Sequence, residues 1–265
     1  MKRNKSLVLD QPQGEMVSAD GSAMAITDIG LRPENQDIAV IGDNMIAVVD
    51  GFGGQTTGQL AARALANYLA SYHEHSLSLQ DLCDRAQAKM PPKGGATLGI
   101  LRRRYEGGRV FVDGGVFGDA KAYIIDTRAT LRDALLAVSL DQSTVQVYIN
   151  TRLLEPLDRY TYETRNIIQN CVASNRHIDF PSRIVAEGRQ GQLMAIAVSD
   201  GVSDFVTPEE VTMLALEHGP DCGRAIFKLA QSRQNREKVE ILLNGKKEVI
   251  PKTSSDNTTI ATMVC

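Results

Sequence analysis

The stretch Met45-Ile46-Ala47-Val48-Val49-Asp50-Gly51-Phe52-Gly53-Gly54 sets how the rest of the chain is read. Five apolar residues in a row predict a buried strand. The run then breaks into an acid and three glycines. An acid at the end of a buried strand puts a charge at the mouth of a cleft on a rigid support. Glycine beside it lets backbone approach a ligand closely. Taken alone, the stretch reads as a strand ending in a tight turn, with Asp50 capping the next helix.

Working outward, Met24–Ile29 reads as a strand, and Ile38–Ile41 with Met45–Val49 as a hairpin around Gly42-Asp43-Asn44. From Thr57 the apolar period becomes helical, with Leu60, Ala61, Ala64, Leu65, Tyr68, Leu69 and Tyr72 on one stripe. A second helix is expected over Ser78–Met90, stopped by Pro91-Pro92. Strands follow at Thr97–Arg104, Arg109–Phe117 and Ala120–Asp126, and again at Arg183–Ala186 and Leu193–Ser199. Residues 141–165 show no clear period, and Tyr162–Ala173 reads as helical. Thr207-Pro208-Glu209-Glu210 predicts a helix start with Thr207 as cap. A longer helix is expected over Asp221–Leu243, a solvated turn at Lys246-Lys247, and a closing strand over Asn257–Cys265. Residues 1–14 read as a loosely held terminus and 15–265 as one domain. Strand and helix do not alternate strictly, so the order favours an antiparallel α+β layered fold over a doubly wound parallel sheet.

Composition narrows the function. The chain has 265 residues, 43% hydrophobic, with a net charge of −3. That balance argues against a nucleic-acid binder, including a metal nuclease, which shows excess Lys and Arg. The apolar run Leu7-Val8-Leu9 is too short for a signal peptide. No stretch approaches the roughly 18 apolar residues of a membrane span. Cys83, Cys171, Cys222 and Cys265 are far apart and read as reduced thiols of a cytoplasmic protein. His73, His75, His177 and His218 lack ligand spacing, and Arg102-Arg103-Arg104 reads as the outer part of a strand running into solvent.

Acids recur at strand ends. Asp50 follows Val49, Asp200 follows Val198-Ser199, and Asp256 precedes the last strand. Asp119 lies between two strands, and Asp37 precedes Ile38. Carboxylates with no paired cysteines are hard oxygen ligands that suit Mg²⁺ or Mn²⁺ better than Zn²⁺. Two such ions would activate a water and clamp a phosphoryl oxygen. Arg32, in the loop that carries Asp37, could hold phosphate oxygens through its planar fork. Each acid alone reads as a turn residue. The set carries meaning only where the strands converge.

These segments, in order, resemble the signatures of the metal-dependent serine/threonine protein phosphatases of type 2C. Gly30-Leu31-Arg32-Pro33-Glu34-Asn35-Gln36-Asp37 and Val49-Asp50-Gly51-Phe52-Gly53-Gly54 resemble the first two. Gly95-Ala96-Thr97-Leu98, Gly118-Asp119-Ala120-Lys121-Ala122-Tyr123 and Leu140-Asp141-Gln142-Ser143 resemble the next three. Ser199-Asp200-Gly201-Val202-Ser203-Asp204 and Asp256-Asn257-Thr258-Thr259 resemble the last two. The resemblance spans about residues 22 to 264 and implies a four-layer α-β-β-α sandwich of two antiparallel sheets. It implies that Asp50 bridges two Mn²⁺ or Mg²⁺ ions and that Gly51 offers a backbone carbonyl. It further implies that Asp200 and Asp256 complete the set, that Arg32 binds substrate phosphate, and that Asp37 holds a water in the outer shell. Asp119 matches the acid that helps bind a third ion in many bacterial members. The implied activity is hydrolysis of phosphoserine or phosphothreonine in a phosphoprotein, by a monomer paired with a cognate kinase. Residues 141–165 correspond to the flap that tunes substrate choice.

Departures from the pattern are Phe52, where eukaryotic members carry a histidine, Gln36, where some carry a glutamate, and Ala120-Lys121. They motivate an alternative, a phosphatase-like regulatory or binding module.

Overall fold

The apolar run that begins at Met45 is a strand with a hydrophobic core on each face. The structure, a computed structural model, describes residues 6–72, 77–179, 181–251 and 255–265. In chain order the elements begin with β1 (Leu7–Leu9), β2 (Gln13–Val17), β3 (Ala23–Asp28), β4 (Asp37–Gly42) and β5 (Met45–Phe52). Then come α1 (Gln55–Ser71), α2 (Leu79–Gln87), β6 (Gly95–Glu106), β7 (Arg109–Phe117) and β8 (Lys121–Asp126). The middle holds α3 (Leu131–Ala134), β9 (Leu135–Val138), α4 (Thr144–Asn150), β10 (Ser182–Arg189) and β11 (Leu193–Val198). The chain closes with α5 (Asp200–Ser203), α6 (Pro208–His218), α7 (Cys222–Arg233), β12 (Lys238–Leu243), β13 (Lys246–Pro251) and β14 (Thr258–Val264).

One sheet runs β1-β4-β5-β6-β7-β10 and the other β2-β3-β14-β11-β8-β9. Neighbouring strands pair antiparallel in both. Side chains alternate between faces along a strand, so β5 feeds two cores at once. Ile46 and Val48 meet Ile124, Ala195 and Ala197 between the sheets. Ala47 and Val49 meet Leu65, Leu69 and Leu82 of α1 and α2. On the opposite outer face, Ile196 and Val198 meet Phe205, Val211 and Ile226 beside α6 and α7. The expected four-layer α-β-β-α order results. A central strand covered on both sides has no polar alternation, which is why β5 and β11 read as unbroken apolar runs.

Several sequence expectations change. The segment 1–14, expected to be loosely held, supplies β1 and the start of β2, with Leu9 buried between the sheets. Three residues have little intrinsic preference, and β1 forms because the edge of β4 is there to pair with. Residues 1–5, with their basic cluster, lie outside the described residues, as do His73 and His75. The helix expected over Tyr162–Ala173 is instead turn and extended backbone. Ile167, Ile168 and Val172 are β-branched, and the segment bridges Ser143 and Ala96 as isolated β-pairs. The periodless stretch 141–165 contains α4 and a 3₁₀ turn at Pro156–Tyr160. The helix expected over Asp221–Leu243 ends at Arg233, followed by a left-handed Asn235. Beyond it Val239 and Ile241 alternate into the core of a hairpin, with Asn244-Gly245 as its turn and Lys246-Lys247 opening the second strand. The Arg102–Arg103 pair is buried rather than solvated, and only Arg104 reaches solvent. All four cysteines are buried and unpaired. Among the described residues, no helix is long and apolar enough to cross a membrane.

Candidate active site

The acids collect because their strands end at one edge of the sandwich. Asp50 sits near the end of β5, opposite Asp37 on β4 and Thr97 on β6. In the other sheet β11 and β14 are neighbours, so Asp200 at the start of α5 comes beside Asp256, just before β14. Asp119 lies in the turn between β7 and β8. Arg32, Asp50, Gly51, Asp119, Asp200 and Asp256 line one cavity of about 500 Å³. Phe52 and Gln36 are in the same wall. Asp37 is set apart: it is buried beneath the cavity, where its Oδ2 accepts a 2.7 Å hydrogen bond from the Ser199 hydroxyl.

Local hydrogen bonds fix the loops. The Asn257 amide donates to the Ile29 and Glu34 carbonyls, at 2.9 and 3.0 Å, and its Oδ1 accepts from the Gln36 N–H at 2.9 Å. The loop bearing Arg32 is thereby tied to the start of β14. Arg32 donates to the Ser255 carbonyl at 3.0 Å and to Asp256 Oδ2 at 2.5 Å. Two glycines are dictated by contact. A Cβ on Gly51 would stand 2.1 Å from the Gly58 carbonyl of α1, and one on Gly201 1.9 Å from the Asn257 carbonyl. Close packing of backbone on backbone explains them.

The electrostatics are those of gathered like charge. Burial first, and then the neighbouring carboxylates, hold Asp50 and Asp200 well above the usual carboxylate range. Both keep part of their surface open to the cavity, whose walls do the desolvating. Burial likewise pushes Asp37 up to about 7, against the Ser199 hydrogen bond that opposes it. Asp119 is pushed up to about 7 by burial and the charge of Asp141, and its Oδ1 is buried with no hydrogen-bond partner. Among the described residues, no three carboxylate, imidazole or thiol groups form a finished ligand shell. The acids instead rim an open space, and an orphaned carboxylate oxygen and an all-oxygen donor set fit a hard divalent cation.

A second, much smaller cleft of about 10 Å³ adjoins the first and shares Asp119, Asn166 and Asp200 with it. Its walls add Arg159 and Arg165, which pair with Asp141 and Asp204. Sequence reading missed these arginines and Asn166, because they stand in a segment without periodicity. It also assigned no role to Ser199, whose only signal is its place beside Asp200.

No family model matches the chain. The serine/threonine protein phosphatase PstP of Mycobacterium tuberculosis is 26% identical over 205 residues, covering 71% of this chain and 37% of that protein. The chain thus spans well under half the length of this curated relative. Among solved structures, serine/threonine phosphatase Stp1 from Staphylococcus aureus has a TM-score of 0.67 at 20% identity, over 96% of this chain and 97% of that one. The catalytic domain of PstP, solved with two manganese ions, has a TM-score of 0.64 at 20% identity, over 91% and 96%. Identities this low in the structures establish the fold. The chain therefore has the fold of these bacterial serine/threonine phosphatases, and its sequence is similar to that of PstP over 205 residues.

Proposed function

We propose that the chain is a Mn²⁺- or Mg²⁺-dependent phosphatase of phosphoserine and phosphothreonine in proteins. The observation that carries this reading is the convergence of Asp50, Asp119, Asp200 and Asp256 with Arg32 on one cavity. The manganese in the related PstP domain supports the choice of ion. Asp50, the Gly51 carbonyl, Asp200 and Asp256 would hold two ions, and Asp119 borders the place for a third. A bound pair would supply Lewis acidity and activate a water for direct attack on the phosphoryl group.

The remaining work falls to the chain's own groups. Asp37, fixed by Ser199, sits opposite Asp50 and orients that carboxylate from below. The guanidinium of Arg32, at the rim and 44% exposed, offers a fork to the non-reacting phosphate oxygens. To do so it exchanges the Asp256 carboxylate for phosphate. Phe52 offers no proton, so the leaving serine or threonine oxygen takes one from water. The reading further includes a monomer acting in the cytoplasm, opposite a cognate kinase, with residues 141–165 as a flap.

The test is hydrolysis of p-nitrophenyl phosphate and of a phosphothreonine peptide with Mn²⁺. Turnover that requires the metal and vanishes in Asp50→Ala supports the reading. Equal rates in the two proteins would sink it.

A further inference from the structure

We propose that Glu34 is a specificity determinant of the active-site cavity, whose carboxylate receives an arginine or lysine flanking the phosphoresidue of the substrate. The inference rests on the phosphatase reading and deepens it, by naming the class of phosphoprotein that the site takes.

Three observations carry it. First, Glu34 stands in the cavity wall two positions after Arg32, and its Oε2 is buried with no hydrogen-bond partner. The cation of its own loop does not meet it, because Arg32 pairs with Asp256. A carboxylate desolvated in this way costs free energy until a donor or a cation reaches it. Second, Glu34 stands apart from the acids proposed to hold metal. Asp50, Asp119, Asp200 and Asp256 also line the cavity, and the charges that bear most on Asp50 are those of Asp37, Asp200, Asp119 and Asp256. Two divalent ions carry the charge that balances four carboxylates. Glu34 is the lining acid left over.

Third, the loop presents this side chain from a fixed backbone. The Glu34 carbonyl accepts from the Asn257 amide at 3.0 Å, and the next N–H but one, that of Gln36, donates to Asn257 Oδ1 at 2.9 Å. Between them Asn35 is buried, its amide donating to the Gln11 carbonyl at 2.8 Å and to the Thr27 hydroxyl at 2.9 Å. Pro33 fixes the backbone on the other side. A group held in place before binding loses little freedom when a partner arrives. With the substrate phosphate at Arg32, a basic side chain one or two positions from the phosphoresidue spans the same stretch of wall, since an extended chain advances about 3.4 Å per residue. Phe52, Asn166 and Ile168, also in the lining, offer it no competing charge. An acidic residue at the same place would meet repulsion from Glu34.

The experiment compares kcat/KM with Mn²⁺ for three phosphothreonine peptides that differ only in the residue on each side of the phosphothreonine: arginine, alanine or glutamate. Wild type is expected to favour the arginine peptide over the alanine one about fivefold, the yield of a partly exposed ion pair. Glu34→Gln should handle the two about equally, and Glu34→Lys should favour the glutamate peptide over the arginine one. Should one variant not fold, the other carries the comparison. In calorimetric titration with MnCl₂, Glu34→Gln is expected to take up as many ions as wild type. One ion fewer would assign Glu34 to the metals and overturn the inference. An arginine preference unchanged in a folded Glu34 variant, or a wild type that hydrolyses all three peptides alike, overturns it too and leaves the phosphatase reading standing. A wild type that hydrolyses neither the peptides nor p-nitrophenyl phosphate overturns both.

Discussion

The Arg32 guanidinium lies 2.5 Å from an Asp256 carboxylate oxygen, although the two residues are 224 positions apart in the chain. The pair joins the residue proposed to bind phosphate to a residue proposed to bind metal. It is partly exposed, so it contributes no more than about 1 kcal/mol to stability. Arg32→Ala is therefore expected to leave the melting temperature nearly unchanged. The same variant should lower kcat/KM for a phosphothreonine peptide about 100-fold, the loss of a charge-assisted fork of roughly 2–3 kcal/mol. Mn²⁺ affinity should hold or rise, because Asp256 loses a competing cation. Steady-state kinetics with calorimetry checks both halves, and a fall in metal affinity would contradict the proposed division of roles.

Ser199 is fully buried and serves two partners. Its hydroxyl donates to Asp37 and accepts from the Thr259 N–H at 3.0 Å. Ser199→Ala leaves a buried carboxyl and a buried N–H without that partner. The expected loss is about 1–3 kcal/mol, read as a lower urea midpoint at unchanged slope. Activity should fall as well, since Asp37 then holds Asp50 less firmly.

The confinement of like charge in the pocket predicts a crossing. Asp200→Asn removes one of several mutually repelling carboxylates. In EDTA the variant should melt a few degrees above wild type, where roughly 1 kcal/mol corresponds to about 2–4 °C for a chain of this size. In saturating Mn²⁺ the order should reverse, because ligand binding stabilises only the protein that binds. Parallel thermal melts decide it. The same order under both conditions would argue against Asp200 as a ligand.

Away from the site, Glu210 accepts two 2.6 Å hydrogen bonds from Arg233 and others from the Thr207 and Leu242 N–H groups. Burial acts to raise its pKa, but the Arg233 and Thr207 bonds outweigh it and hold the carboxyl below 4.5. A depressed folded pKa means the stabilisation is fully present above the unfolded value of 4.5 and is lost as pH falls through the folded one. Glu210→Gln, which leaves Arg233 unpaired, is expected to cost about 3 kcal/mol at pH 7. It should also flatten the acid limb of the stability curve below pH 4.5. Urea midpoints across pH 3 to 7 for both proteins make the comparison.

Much of the site was legible from sequence because its acids sit at the ends of recognisable strands. Asp50, Asp119, Asp200, Asp256 and Arg32 all reach the cavity. Asp37 was legible as an acid in a loop, though not as one buried under the floor. Gly51 was read as offering its backbone carbonyl to a metal, while the contact that forbids a side chain there is with α1. The Thr207–Glu210 capping box was legible because its chemistry is local. The hairpin of β12 and β13 was not, since a two-residue period follows a helix without a strong breaker. Arg159 and Arg165 carried no signal, because their meaning lies in acids that come from α5 and from the turn after β9.

By itself the sequence determined which strands are buried on both faces, where the chain turns, and that acids stand at strand ends. Those properties depend on neighbours within a few positions, and so they are written in periodicity and capping. Only the tertiary structure decided that Asp50, from one sheet, meets Asp200 and Asp256, from the other, with Arg165 wedged beside them. That meeting depends on strand order, register and the packing of two sheets face to face. Contacts between residues some 150 to 200 positions apart leave no local pattern.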